Sequence, residues 1–124
     1  MAVTLRCPTQ REAVTRTEAF LAARGLGAIA EDVISAMIEG IANAISHART
    51  DYTLSIQVRR NHVIIDIIDY GPGFAFGYHV MPSPLATGGR GIPLMQYAMD
   101  DVIYQKRPQS NRLRLRKRFP LPLS

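Results

Sequence analysis

Three short segments of the sequence carry polar side chains at spacings that packing alone does not require. The first is EGIANAISHA, in which Glu39, Asn43 and His47 are successively four residues apart. On a helix this spacing places the three side chains in one polar stripe. Helix interiors disfavour asparagine, because its side chain competes for backbone hydrogen bonds. The stripe therefore indicates either a functional site or the solvated face of an amphipathic helix.

The second segment is DYGPGF, which follows a run of apolar residues that predicts a buried strand. Asp69 ends that strand, where a carboxylate is costly to bury unless a partner compensates its charge. Gly71 and Gly73 permit a positive φ or a close approach of the backbone to another group. The segment indicates either a binding site or a turn that ends a strand.

The third segment is ATGGRGIPLM, which places three glycines and an arginine just before a predicted helix. The free amide groups at the start of a helix bind phosphate well. A glycine cluster of this kind also occurs in ordinary turns. The segment is therefore compatible with a phosphate site or with a simple turn.

Hydrophobic periodicity predicts the elements that must position these segments. Apolar residues recur every three or four positions in the predicted helices and every second position in the strands. The helices cover about 9–24, 30–48 and 92–99, and the strands 2–6, 52–59, 63–68, 101–106 and 112–119. This order predicts an α/β two-layer sandwich, a mixed sheet with the helices stacked on one face.

Length and composition restrict the class of protein. The chain has 124 residues, which favours one domain. No apolar run reaches the roughly 18–20 residues of a membrane span, and the N-terminus has no signal-peptide pattern. The single cysteine, Cys7, cannot form an internal disulfide and is expected to be a buried structural thiol. We therefore expect a cytoplasmic protein with no membrane partner.

The excess of positive over negative charge comes from the C-terminal part of the chain. The net charge is +5, and seven of the fifteen basic residues lie between 106 and 118. In the last predicted strand, arginines alternate with leucines, which predicts a basic face on an edge strand in contact with solvent. Docking to an acidic partner is the functional alternative. Direct nucleic-acid binding is less favoured, because no stacking aromatic residues are interleaved there.

Taken together and in this order, the three segments resemble the N, G1 and G2 boxes of the GHKL superfamily of Bergerat-fold ATPases and kinases. The resemblance extends over about 5–119. Within the superfamily the chain is similar to the small anti-sigma-factor serine/threonine kinases, which have the same helix pattern and a Gly-Gly-Arg-Gly turn. The resemblance implies a single histidine kinase-like ATPase domain over 1–124, with about five strands and about three helices in a Bergerat ATP-binding fold.

The resemblance also implies roles for individual residues. Glu39 would be the general base, Asn43 would bind Mg²⁺, and Asp69 would accept a hydrogen bond from the adenine amino group of ATP. His47 would line the ribose and phosphate side or be a structural histidine. The remaining positions would surround the base and the triphosphate: Gly71, Gly73, Thr87, Gly88, Gly89, Arg90 and Gly91.

The function implied by the resemblance is partner switching. The chain would be an ATP-dependent anti-sigma factor and serine/threonine protein kinase, acting as a homodimer. It would sequester a sigma factor and phosphorylate a STAS-domain antagonist of that anti-sigma activity. The alternatives are a non-catalytic nucleotide-gated binding switch and a family member that activates a downstream phosphatase or cyclase.

Overall fold

The computed structural model describes residues 2–48, 51–71 and 91–120. In these ranges the chain forms the predicted α/β sandwich, with one five-stranded sheet and three α-helices. The strands and helices, in chain order, are β1 (Ala2–Arg6), α1 (Gln10–Ala22), α2 (Ala30–Asn43), β2 (Tyr52–Arg59), β3 (His62–Asp69), α3 (Gly91–Ala98), β4 (Asp101–Lys106) and β5 (Asn111–Arg118). None of the helices within the described ranges is long and apolar enough to cross a membrane.

The sheet has the strand order β1-β2-β3-β5-β4, and every neighbouring pair is antiparallel. The prediction of a mixed sheet is therefore wrong. A crossover through a helix normally joins parallel strands, and β3 and β4 do run in the same direction. They are not neighbours, however, because β5 returns from β4 and inserts between them.

The position of β5 also corrects the prediction of a solvated edge strand. Its leucines, Leu113 and Leu115, are buried against the helices as the alternation predicts. Its arginines Arg112, Arg114 and Arg116 lie on the opposite face and are half-buried rather than free in solvent. The reason is the strand order, because β5 has β3 on one side and β4 on the other.

The connection between β1 and α1 differs from expectation at Cys7. The thiol is exposed, not buried, because Cys7 has a left-handed backbone (φ 45°) that ends β1, and Pro8 takes the buried position. The backbone N–H of Cys7 donates to the carbonyl of Tyr52 at 2.8 Å. The Tyr52 hydroxyl donates to the carbonyl of Pro8, and burial raises the pKa of that hydroxyl. Helix α1 then begins with a capping box between Thr9 and Glu12.

Helix α2 lies against the sheet and packs closely on it at Gly40. A Cβ added there would be 2.6 Å from Cδ1 of Ile67 and 3.0 Å from Cδ2 of Leu113. The same Cβ would be 3.8 Å from the sulfur of Met95 in α3. Gly40 therefore sets the spacing between α2, the sheet and α3, directly beside Glu39.

Gly40→Ala should lower the free energy of unfolding by up to about 2 kcal/mol. Overpacking a core costs about 1–3 kcal/mol, and the gain in helix propensity of about 1 kcal/mol offsets part of that cost. Gly27→Ala is the matched control, since a Cβ at Gly27 meets no atom within 4 Å. Urea unfolding of both variants measures the difference. Equal stability of the two variants would contradict the importance of this close approach.

Candidate functional site

Asp69 is the last residue of β3, and only 5% of it is exposed. Its Oδ1 accepts a hydrogen bond from Nδ2 of Asn111 at 2.8 Å and another from the backbone N–H of Gly71 at 3.2 Å. Hydrogen bonds to a charged group are stronger than those between neutral groups and compensate burial of the charge. Burial of the Asp69 carboxylate requires hydrogen-bond donors, and the fold provides them through Asn111 and Gly71.

Asn111 is a site residue that sequence reasoning missed. The predicted last strand begins at residue 112, but Asn111 is the first residue of β5 and is 2% exposed. Its Nδ2 also donates to the carbonyl of Gly71 at 2.8 Å. One amide therefore holds both the carboxylate of Asp69 and the turn that follows it. No local pattern could show this, because Asn111 meets Asp69 through the register of β3 with β5.

Asn111→Ala should reduce the free energy of unfolding by about 1–3 kcal/mol. The variant leaves a buried carboxylate oxygen without its side-chain donor, and an unsatisfied buried group costs about that much. Asn61→Ala, in the turn between β2 and β3, should change stability by less than about 0.5 kcal/mol. Chemical denaturation of the two variants tests the difference. If Asn111→Ala lowers the free energy of unfolding no more than Asn61→Ala does, Asn111 does not support Asp69.

The polar stripe of the predicted second helix lies at the C-terminal end of α2. Glu39 and Asn43 are both half-buried there. Gly40, between them, faces the sheet and α3, since a Cβ added there would lie within 4 Å of Ile67, Leu113 and Met95. Helix α3 begins at Gly91, one turn before Met95, so the stripe, the sheet and the first turns of α3 meet in one region.

The end of α2 lies at the same end of the sheet as Asp69. After Asn43 the helix continues as a π-helical turn, Ala44–Ala48, which contacts β3. Turns of this type are frequent at functional sites. The chain enters β2 at Tyr52, the cross-strand neighbour of Asp69, and the step from residue 48 to residue 52 spans at most about 14 Å. Asn43 therefore lies near the Asp69 end of the sandwich.

Several of the predicted site residues lie wholly or partly outside the described residues. The backbone of His47 belongs to the π-helical turn, but its side chain lies outside the described part of the structure. Gly91 is the first residue of α3, and its predicted role at a phosphate stays a prediction. The other predicted positions outside the described ranges are Gly73, Thr87, Gly88, Gly89 and Arg90.

The described side chains can perform three kinds of chemistry. The Asp69 carboxylate, fixed by its donors, can accept a hydrogen bond from a polar ligand. The Glu39 carboxylate can accept a proton, and the amide oxygen of Asn43 can bind a hard cation such as Mg²⁺. Within the described residues no group of three or more His, Cys, Asp and Glu side chains could hold a metal. A cation at Asn43 would therefore need further oxygen ligands, and the phosphates of a nucleotide fit that need.

Comparison with known proteins agrees with this arrangement. The family model of the histidine kinase-like ATPase domain matches residues 3–117, a range that includes Glu39, Asn43 and Asp69. A search of curated proteins finds no match to the chain. The observed α/β sandwich is consistent with the GHKL ATPase fold, which confirms the predicted fold class, and the family supports ATP binding and a kinase-type function. The chain belongs to the histidine kinase-like ATPase domain family.

Proposed function

We propose that this chain is an ATP-dependent anti-sigma factor and serine/threonine protein kinase. The observation that supports it most is the buried Asp69 carboxylate, held through one oxygen by Asn111 and Gly71. A fixed carboxylate of this kind suits the exocyclic amino group of adenine, which is a hydrogen-bond donor. The resemblance of EGIANAISHA and GGRG to the anti-sigma-factor kinases supports the choice of this subclass.

The proposed reaction transfers the γ-phosphoryl group of ATP to a serine hydroxyl of a protein substrate. The serine oxygen forms a bond to the γ-phosphorus, and the bond from that phosphorus to the ADP oxygen breaks. The hydroxyl proton passes to the Glu39 carboxylate, which acts as the general base. When bound by Asn43 and the phosphates, Mg²⁺ would neutralise part of the charge on the triphosphate.

The proposed partners are a sigma factor and a STAS-domain antagonist, and the proposed assembly is a homodimer. In this scheme the nucleotide-bound shape of the domain holds the sigma factor. Phosphorylation of the antagonist ends its ability to displace that sigma factor. The binding role therefore depends on Asp69 and the nucleotide, whereas the switching role also depends on Glu39.

A paired assay tests the proposal. The purified chain is incubated with γ-phosphate-labelled ATP, Mg²⁺ and STAS proteins, and with sigma factors in a pull-down. We expect labelled phosphoserine on one STAS protein and nucleotide-dependent capture of one sigma factor. ATP binding and sigma capture without any transfer would favour the non-catalytic switch. Transfer without sigma capture would exclude the anti-sigma role.

A further inference from the structure

In the described part of the chain, one face of the sheet packs on the helices and the other does not, and this open face is rich in arginine. Alternation along the strands places Leu113 and Leu115 toward the helices and their neighbours outward. The registers of the five strands assign the outward positions. The charged residues at these positions are Arg6, Arg59, Arg112, Arg114, Arg116, Arg118, Asp66 and Asp101.

Two of these arginines already have a carboxylate from the neighbouring strand. Arg114 binds Asp66 of β3 in a two-point arrangement, with Nε to Oδ1 at 2.8 Å and Nη2 to Oδ2 at 2.9 Å. This contact raises the pKa of Arg114. Arg116 donates from Nε to Oδ2 of Asp101 in β4 at 2.7 Å. In each pair the two residues are direct cross-strand neighbours.

Arg112 stands in the same row of β5, but its cross-strand neighbours carry no charge. They are Ile68 in β3 and Gln105 in β4. Nη2 of Arg112 donates to Oε1 of Gln105 at 2.9 Å. Its Nε is buried and has no hydrogen-bond partner among the described residues. Burial, and then the charge of Arg114, lower the pKa of Arg112. Unlike Arg114 and Arg116, Arg112 therefore has no carboxylate as a hydrogen-bond partner among the described residues, and only the more distant charge of Asp66 acts on it by raising its pKa.

We propose that the open sheet face binds an acidic segment of a partner protein, and that one carboxylate of this partner binds the guanidinium of Arg112. The Arg114–Asp66 pair shows that the face accommodates a two-point arginine–carboxylate contact. Ile68 lies opposite Arg112, and Ile103, which is 49% exposed, lies opposite Arg114; both offer apolar surface for the rest of such a segment. This proposal does not depend on the nucleotide site.

A protein partner fits this face better than a nucleic acid does. The outward positions of the described strands include no Phe, Tyr or Trp on which bases could stack. Two of the arginines are already neutralised by Asp66 and Asp101, which weakens the field that a phosphate backbone would meet. A carboxylate, in contrast, matches the planar donor pair of an arginine.

Fluorescence anisotropy with a labelled Glu-Thr-Glu-Thr-Glu-Thr peptide tests the proposal on the nucleotide-free protein. Arg112→Gln should weaken binding at least about tenfold, and Arg112→Lys should weaken it similarly, because lysine keeps the charge without the planar donor pair. Arg59→Gln removes one charge from the same face and should change the affinity less than about threefold. A Gln-Thr peptide of equal length should not bind.

Ile68→Asp provides an independent variant that should remain folded. It supplies Arg112 with a cross-strand carboxylate in the way that Asp66 serves Arg114, so it should abolish peptide binding without lowering the melting temperature. Three results would overturn the proposal. They are no binding of the acidic peptide to the wild type, equal losses in Arg112→Gln and Arg59→Gln, and tighter binding of single-stranded oligothymidylate than of the peptide.

Discussion

Glu39→Gln should lose most of its phosphotransfer activity and keep its affinity for ATP. A positioned general base contributes about 10²–10⁴-fold to a rate, so transfer to a partner serine should fall by that factor. Glutamine has nearly the same size and helix propensity as glutamate, so α2 should keep its place against the sheet. Gly40, the next residue, permits that close packing, because a Cβ there would be 2.6 Å from Cδ1 of Ile67 and 3.0 Å from Cδ2 of Leu113.

The measurement is single-turnover transfer to the STAS substrate, with ATP affinity measured by calorimetry. Glu31→Gln is the matched control, because Glu31 is exposed in the first turn of the same helix and should leave the rate unchanged. Sigma capture by Glu39→Gln should persist, since capture does not need the chemistry. If Glu39→Gln transfers phosphate at the wild-type rate, Glu39 is not the base.

Asn43→Ala should differ from Glu39→Gln in how ATP binding depends on Mg²⁺. If the amide oxygen of Asn43 binds Mg²⁺, this variant loses both the tightening of ATP binding by Mg²⁺ and the phosphotransfer. Calorimetric titrations of ATP with and without Mg²⁺ separate the two variants. An unchanged Mg²⁺ dependence in Asn43→Ala would remove Asn43 from the metal site.

Asp69→Asn should weaken ATP binding by about 1.5–3 kcal/mol, the usual contribution of a hydrogen bond to a charged group. An asparagine can still accept the hydrogen bonds from Asn111 and Gly71 through its carbonyl oxygen, so the fold should survive. Its second terminal atom becomes an NH₂ group, which is a donor. That donor would face the amino group of adenine, also a donor, and the contact would be lost.

The ratio of the affinities for ATP and GTP measures the effect of Asp69→Asn more specifically than the ATP affinity alone. Guanine has a carbonyl oxygen where adenine has its amino group, so wild type should prefer ATP to GTP, and Asp69→Asn should narrow that preference. Asp66→Asn is the control, since Asp66 lies on the same strand but on the open face, where it pairs with Arg114. It should lower stability and leave ATP affinity unchanged. Equal ATP affinity in wild type and a folded Asp69→Asn would disprove the adenine contact.

The sequence determined the elements and the faces of the strands and helices. The period of α2 predicted its apolar face, and Val33, Met37 and Ile41 are buried there. The alternation of β5 predicted that Leu113 and Leu115 would point away from the arginines, as they do. Which side chains are buried, and which way they point, follows from local periodicity, and that periodicity can be read from neighbouring residues in the sequence. For the same reason the need of Asp69 for a partner was evident from its place at the end of a buried strand.

The tertiary structure alone decided which strands are neighbours, and therefore which side chains meet. A period of two shows on which face of the sheet a residue lies, but it does not show which strand lies beside the residue's own strand. Asn111 reaches Asp69 across 42 residues of chain, and Arg114 reaches Asp66 across 48. Both contacts exist because β5 inserts between β3 and β4, which the order of elements along the chain does not specify. That insertion places Asn111 beside Asp69, and it gives Arg112 the uncharged cross-strand neighbours Ile68 and Gln105.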